Sequence, residues 1–273
     1  YILGKDKGVL ENNTILFATS PIAREKQFNS SKNNKNDKKL WSDCYYYGGT
    51  SVKEVFANHY GASDLRAALK TMATSTSYFT AAEQLLMNPT TVTTVDNKNL
   101  CGYLTTDKLY ALAADGYGSS YKTIKAGSDN STVLAMSSYW SSGDDWFWLR
   151  SPNVRNQDSA LCVLSGDSVR SEYLNVGNVV QPASNLNLSS VLFASAATAA
   201  SHYTSEAVRI SSGKAMTLRL DGTGKDIGTV TYNTTTGDIK VVKGTTSQTV
   251  ALVVQGNDGT NDWYYSKTIG TSE

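Results

Sequence analysis

The residues able to do chemistry are few, and the densest group is Trp146, Phe147 and Trp148, flanked by Asp144, Asp145 and Arg150. Paired carboxylates such as Asp144 and Asp145 are the equipment of glycoside hydrolysis. Adjacent acids in a turn are, however, usually solvated, and no second motif accompanies these. Nucleophilic catalysis needs a base within reach of a nucleophile. The two histidines, His59 and His202, fall in different parts of the chain and in no recognisable motif. His59 stands near Asp64 in "NHYGASDLR", a stretch that a capped helix entry explains better. Nucleophile-elbow, zinc-protease and phosphate-loop patterns are absent. Cys44, Cys101 and Cys162 have neither close spacing nor a neighbouring histidine, and their odd number argues against a disulfide framework. They read as isolated, mostly buried thiols. The oxygen-rich loops "DGTGKD" and "NDGTND" lack the alternating acids and closing Glu of a helix–loop–helix calcium site, and read as hairpin turns. No catalytic residue, metal or cofactor is expected.

What remains is binding chemistry. Between Asn153 and Asn178, sixteen of 26 residues are Asn, Asp, Ser, Gly, Cys, Tyr or Arg. Short apolar pieces, "ALCVL" and "YLNV", are embedded in this run, which a disordered linker would lack. In "WFWLRS" alternation would send Phe147 and Leu149 to one face and Trp146 and Trp148 to the other. Both tryptophans then read as core anchors ahead of ligand platforms. Arg150 reads as a structural arginine that pairs an acid or bonds backbone carbonyls.

These residues need positioning elements. "YILGKDKGVLENNTILFATSPIA" alternates apolar runs with turn residues and predicts two strands. Ser63 is a candidate N-cap for a helix whose apolar face is Leu65, Leu69 and Met72. Thr80 and Glu83 have capping-box spacing for a second helix, stopped at Asn88-Pro89. "TTDKLYALAADG" fits a strand or a third helical turn. From Trp146 onward the pattern is strand-like. The composition shifts near Ser190, after which β-branched runs alternate with turns and predict a small all-β sandwich. "LFASAATAASHYTSEA" reads as the junction, so two domains are expected, 1–190 and 191–273.

Composition narrows the function further. A net charge of +1 gives no global field for nucleic acid, and the one lysine-rich run, "SSKNNKNDKKLW", reads as a solvated loop. No apolar run approaches the ~20 residues of a membrane-spanning helix. The chain opens at Tyr1 with no signal-peptide pattern, so a leader or upstream region is expected to be missing from it.

Four segments occur in a specific order: "ASDLRAALKTM", "FTAAEQLLM", "TTDKLYAL", and "FWLRSP" followed by "VVQPASNLNLSS". Over about residues 1–190 this order resembles an uncharacterised domain of surface proteins from Gram-positive gut bacteria, with its "WWLRSP … VRPALNL" frame. That domain is similar to the C-type-lectin fold in its formylglycine-generating-enzyme branch. The same branch contains the variable proteins of diversity-generating retroelements. The resemblance implies an α+β fold, a C-type-lectin-like domain with two helices plus a mixed or antiparallel sheet, followed by a small all-β Ig-like sandwich acting as spacer. It also implies a binding surface diversified by adenine-directed mutagenesis, which turns Asn codons into the residue types enriched at 153–178.

Two departures bear on activity. The oxidising members use a cysteine pair, and here only Cys162 lies in the matching part. Sugar-binding members hold calcium with Glu-Pro-Asn or Gln-Pro-Asp, whereas Gln181-Pro182 is followed by Ala183. The expected function is therefore non-enzymatic, that of a secreted or surface-displayed adhesin or receptor. Its ligand-binding residues would be Trp148, Asn153, Arg155, Asn156, Asp158, Ser168, Arg170, Glu172, Tyr173 and Asn175. Its partner would be a protein or glycan on another cell, phage or host surface, with no nucleic acid and no transmembrane segment. The rivals are a formylglycine-generating-type enzyme, which needs a reactive Cys162, and a purely structural surface protein.

Overall fold

The computed structural model describes residues 2–6, 13–30, 38–46, 50–96, 101–118, 120–130, 132–135, 145–164, 168–188, 191–196, 216–220, 229–242, 250–257, 259 and 262–270. The chain divides into two compact units, Tyr1–Leu188 and Ser189–Glu273. Asp144, His202, "DGTGKD", most of the lysine-rich run and most of the expected junction lie outside the described residues, as do the side chains of Cys44 and Cys101.

The first unit opens with β1 (Ile2–Gly4), β2 (Asn13–Phe17) and β3 (Ala23–Lys26), then a hairpin of β4 (Lys38–Tyr46) and β5 (Thr50–Phe56). Two helices follow, α1 (Asp64–Thr74) and α2 (Ala81–Leu86). The short β6 (Met87–Asn88) leads to the hairpin β7 (Thr90–Asp96) with β8 (Cys101–Asp107), then to β9 (Thr123–Ala126) with β10 (Thr132–Ala135). The last five strands are β11 (Trp146–Pro152), β12 (Ser159–Leu164), β13 (Ser168–Tyr173), β14 (Asn178–Val180) and β15 (Ala183–Asn187).

Local chemistry explains the helices. The Ser63 hydroxyl accepts the Arg66 amide at 3.1 Å, and Asp64 sits in the first turn, where an acid suits the helix dipole. Leu65, Leu69 and Met72 form the buried face of α1. At α2 both capping-box bonds between Thr80 and Glu83 are present.

Five strands form the main sheet in the order β13-β12-β11-β14-β3. β11 and β14 run parallel and the other neighbours antiparallel. A second sheet runs β1-β2-β15-β6. The side chains of β11 alternate between two separate cores, as a strand's period of two requires. Phe147 and Leu149 pack with Ile15, Phe17, Tyr110 and Ile124, while Trp148 packs with Phe28, Tyr60 and the buried face of α1. Both faces of this central strand are covered, so "WFWLR" reads almost continuously apolar.

In the second unit the strands pair as three antiparallel hairpins: β16 (Val191–Ala196) with β17 (Met216–Leu220), β18 (Thr229–Tyr232) with β19 (Ile239–Val242), and β20 (Val250–Asn257) with β21 (Asp262–Gly270). The turn of the middle hairpin is local chemistry. The Asn233 side-chain oxygen accepts the Thr235 and Thr236 amides, and Gly237 takes a positive φ of 75°.

This architecture corrects the expected fold class. The α+β assignment as a C-type-lectin-like domain plus an Ig-like sandwich does not hold. Strands dominate the described residues, the only α-helices among them have 11 and 6 residues, and the sheets are small and do not form a clear lectin-like arrangement. The described strands of the second unit are three separate pairs, not two facing sheets. Strong cap signals at Ser63 and Thr80 mark where helices start, but they say little about how far they run. "TTDKLYAL" makes no helical turn. It closes β8 at Asp107 and continues as irregular chain that bridges to Ala183 through Tyr110.

Candidate functional site

The site begins at a bulge. Between Trp148 and Pro152, β11 shifts register against β12, and within that stretch Arg150 N–H donates to Leu112 O at 2.7 Å. Within this stretch Arg150 is fully buried. Its guanidinium donates to Ala111 O at 2.7 Å, to Thr93 O at 3.3 Å and to the Asn130 side-chain oxygen, and lies 5.9 Å from the Tyr110 ring centre. Burial pulls its pKa below the usual guanidinium value, with the tyrosines Tyr110 and Tyr60 opposing. Asn130 has a positive φ of 61°, a conformation that Asn tolerates better than most side chains.

A second buried group adjoins it. The Asp6 carboxylate accepts the Ser128 amide at 2.9 Å, the Ser128 hydroxyl at 2.8 Å and the Asn185 amide at 2.7 Å. Asn185 in turn accepts the Tyr110 hydroxyl at 2.9 Å. Gly127, at φ +90°, lets the turn approach Asp6, because a Cβ there would lie 3.1 Å from the carboxylate. Arg66 of α1 meets Asp107 at 2.7 Å. Three of the ordered sequence segments are thus bound to one another. α1 holds "TTD", "WLRSP" holds "LYAL", and "QPASNL" holds Tyr110. Arg150 bonds backbone carbonyls, one of the two structural roles its sequence context suggested.

Beyond Pro152 the chain makes a polar rim. The Asn153 side-chain oxygen accepts the Arg155 amide at 2.8 Å and the Asn156 amide at 3.3 Å, closing a turn of the Asx type. Its amide nitrogen donates to the Ser171 hydroxyl at 2.6 Å, joining the turn to β13. From below, the Asn58 amide reaches the carbonyls of Asn153, Asn156 and Ser159 at 3.3, 3.2 and 3.2 Å. The loop is therefore fixed by two asparagines before any ligand arrives. The outer edge of β13 is also occupied, at Val169 by the Gly118–Tyr121 turn and at Tyr173 by the Glu172 carboxylate, 2.8 Å from the Tyr173 amide. A blunted edge disfavours recognition by strand addition.

Two clefts open here, and Glu172 borders both. One, of about 250 Å³, is lined by Tyr117, Asn153, Asn156, Ser159, Ser171, Glu172 and Tyr173. The other, of about 280 Å³, is lined by Asp145, Trp146, Glu172 and Val176–Val179. At the second, Asp145 pairs with Arg24 at 2.6 Å.

The ten residues proposed from sequence do not share one environment. Arg155, Asn156 and Tyr173 are exposed, and Arg170, Glu172 and Asn175 are partly so. The other four are buried. Trp148 is 1% exposed, its indole N–H donates to Lys26 O at 2.7 Å, and its ring meets Phe28 edge-on at 5.6 Å. Asn153 is the hinge of the turn, Asp158 accepts the Ser159 hydroxyl at 3.0 Å, and Ser168 is inside β13. These four are buried and display no side chain from the rim. Sequence reading missed Asn58, Tyr117 and Ser171. Asn58 carried no signal, because its partners lie about a hundred positions away.

Cys162, on which an oxidase mechanism would depend, is fully buried. Burial pushes its thiol pKa up, Glu172 adds to this and Arg170 opposes it.

Residues 14–188 match a family described as "Domain of unknown function (DUF6273)". The chain belongs to this family. The match covers more than half of the chain and includes the buried arginine network and the whole rim. The family's description names no activity, and nothing in the match connects it to lectins, formylglycine-generating enzymes or retroelement proteins. No curated protein and no solved structure matches the chain. Among the described residues no helix is long and apolar enough to cross a membrane.

Proposed function

We propose that this member of the family is a ligand-binding protein of the adhesin or receptor type, secreted or displayed at a cell surface, and that it binds through residues 153–178. The observation that carries this reading is the rim. Arg155, Asn156, Glu172 and Tyr173 reach solvent from a backbone already held by Asn58 and Asn153. Preorganised backbone lowers the entropic cost of binding, and exposed Tyr and Arg are the side chains that most often dominate binding energy. The burial of Cys162, which raises its thiol pKa, favours binding over oxidation.

The test is binding of the labelled protein to a panel of bacterial and epithelial cells, comparing the native chain with an Arg155→Ala/Tyr173→Ala variant of equal melting temperature. Saturable binding that weakens on the order of tenfold in the variant is expected. Binding to no cell type, or equal binding by both proteins, would overturn the reading. Diversification has its own test in sequencing the locus across isolates. Substitutions should crowd at Arg155, Asn156, Arg170, Glu172, Tyr173 and Asn175 and spare the buried Asn153, Asp158 and Ser168. An even spread of substitutions along the chain would dispose of it.

A further inference from the structure

The cleft bordered by Tyr117 and Tyr173 has an unusual lining for a small-molecule site. Such pockets are mostly lined by apolar side chains with a few polar groups. Among the described residues the lining holds no aliphatic side chain, no lysine and no arginine. Apart from the two tyrosines, its described residues are Asn, Ser and one Glu. An apolar ligand would leave those polar groups without partners, at a cost of about 1–3 kcal/mol for each group so buried. An anionic ligand would meet Glu172 and no cation. The ligand must offer hydrogen-bonding groups at its periphery and an apolar face for a tyrosine ring.

The polar atoms sort further. Asn153 donates to the Ser171 hydroxyl, which leaves that hydroxyl's own proton to be donated outward. One oxygen of Glu172 takes the Tyr173 amide, and the other is left to accept. Asn156 brings both a donor and an acceptor. A ligand matching this set must donate at one point and accept at another within a cleft of about 250 Å³. Alcohol groups do both.

From this lining we infer that the cleft is a subsite for one residue of a neutral saccharide, its C–H face on Tyr173 or Tyr117 and its hydroxyls on Glu172, Ser171 and Asn156. This deepens the binding role proposed above and rests on it. A protein partner is less well matched, because stable protein interfaces bury about 800 Å² per side around an apolar centre, which this lining does not supply.

The experiment treats the target cells of the binding assay in two ways before the full chain is added: periodate, which cleaves vicinal diols, or protease. Loss after periodate with survival after protease is the expected result. Loss after protease with survival after periodate overturns the saccharide inference and leaves the binding role standing, whereas binding to no untreated cell removes both. An array of immobilised oligosaccharides supplies the second readout. Neutral members should be bound, with affinity falling on the order of tenfold in Tyr173→Ala and Glu172→Gln, and held in Tyr173→Phe. Raising salt should leave the binding unchanged, since no ion pair is involved. Binding that collapses with salt identifies an amine or other cation on Glu172 and overturns the inference. Binding that survives Tyr173→Ala and Glu172→Gln places the sugar elsewhere and does the same.

Discussion

Arg150 and Arg155 stand five residues apart in the same polar stretch and lead opposite lives. Arg150 is sealed in the interior, bonded to three groups from three distant segments. Arg155 is exposed, and only its backbone amide is used, in the Asn153 turn. The difference teaches how this domain separates stability from recognition. Polar side chains that meet protein partners on every side hold the fold, and those on the rim rest on a backbone that the first group fixes. Asparagine shows the same division. Asn58, Asn130, Asn153 and Asn185 are structural, while Asn156 is presented to solvent.

The comparison breaks most visibly at Arg150. Arg150→Leu should cost about 3–5 kcal/mol in urea unfolding, because Ala111 O, Thr93 O and Asn130 lose their donor inside the core. A cost below about 1 kcal/mol would mean that water reaches these groups and that the interior is not sealed.

The next effect is read by pH. His59 is buried and stacked on Tyr103 with ring centres 3.8 Å apart. Burial lowers its pKa from 6.5 to about 3, and Arg66 adds to the lowering. The folded state therefore refuses a proton that the unfolded state accepts. Stability is complete above about pH 6.5 and declines toward pH 3, by up to about 1.4 kcal/mol per unit, or about 2 kcal/mol by pH 5. The slope difference between the native chain and His59→Phe measures this contribution, and identical slopes would refute it.

Asn58→Ala should cost less, about 1–2 kcal/mol, since it removes hydrogen bonds between neutral groups and leaves no charge without a partner. Its more telling readout is hydrogen exchange. Amides of residues 153–158 should lose protection while those of β11 and β12 keep theirs. Unchanged exchange at the loop would show that Asn153 alone holds the rim.

The smallest effect belongs to the rim itself. Exchanging Arg155, Asn156, Arg170, Tyr173 and Asn175 should shift stability by no more than about 0.5 kcal/mol per site. Adding Asn153, Asp158 and Ser168 to the set should turn that small shift into a clear loss of melting temperature. Equal melting curves for the two sets would erase the distinction between support and display.

Much of this was written locally. Ser63, Thr80 and Glu83 specify helix starts because a cap bonds only to residues two or three positions away, and the alternation of "WFWL" reports a strand with both faces covered. The change of composition near Ser190 lies beside the boundary at Leu188 between the two compact units. The sequence alone also determined that the stretch 153–178 mixes apolar strand cores with polar residues. It did not determine which of those polar residues are displayed. Asn153 and Asn156 are the same residue type three positions apart, yet one is buried and the other exposed. Their fates depend on Asn58, Ser171 and Tyr117, brought in by other segments of the fold. Tertiary structure alone decided this, because a polar group's burial is tolerable only where distant chain supplies its hydrogen-bond partners, and no local pattern records where those partners will come from.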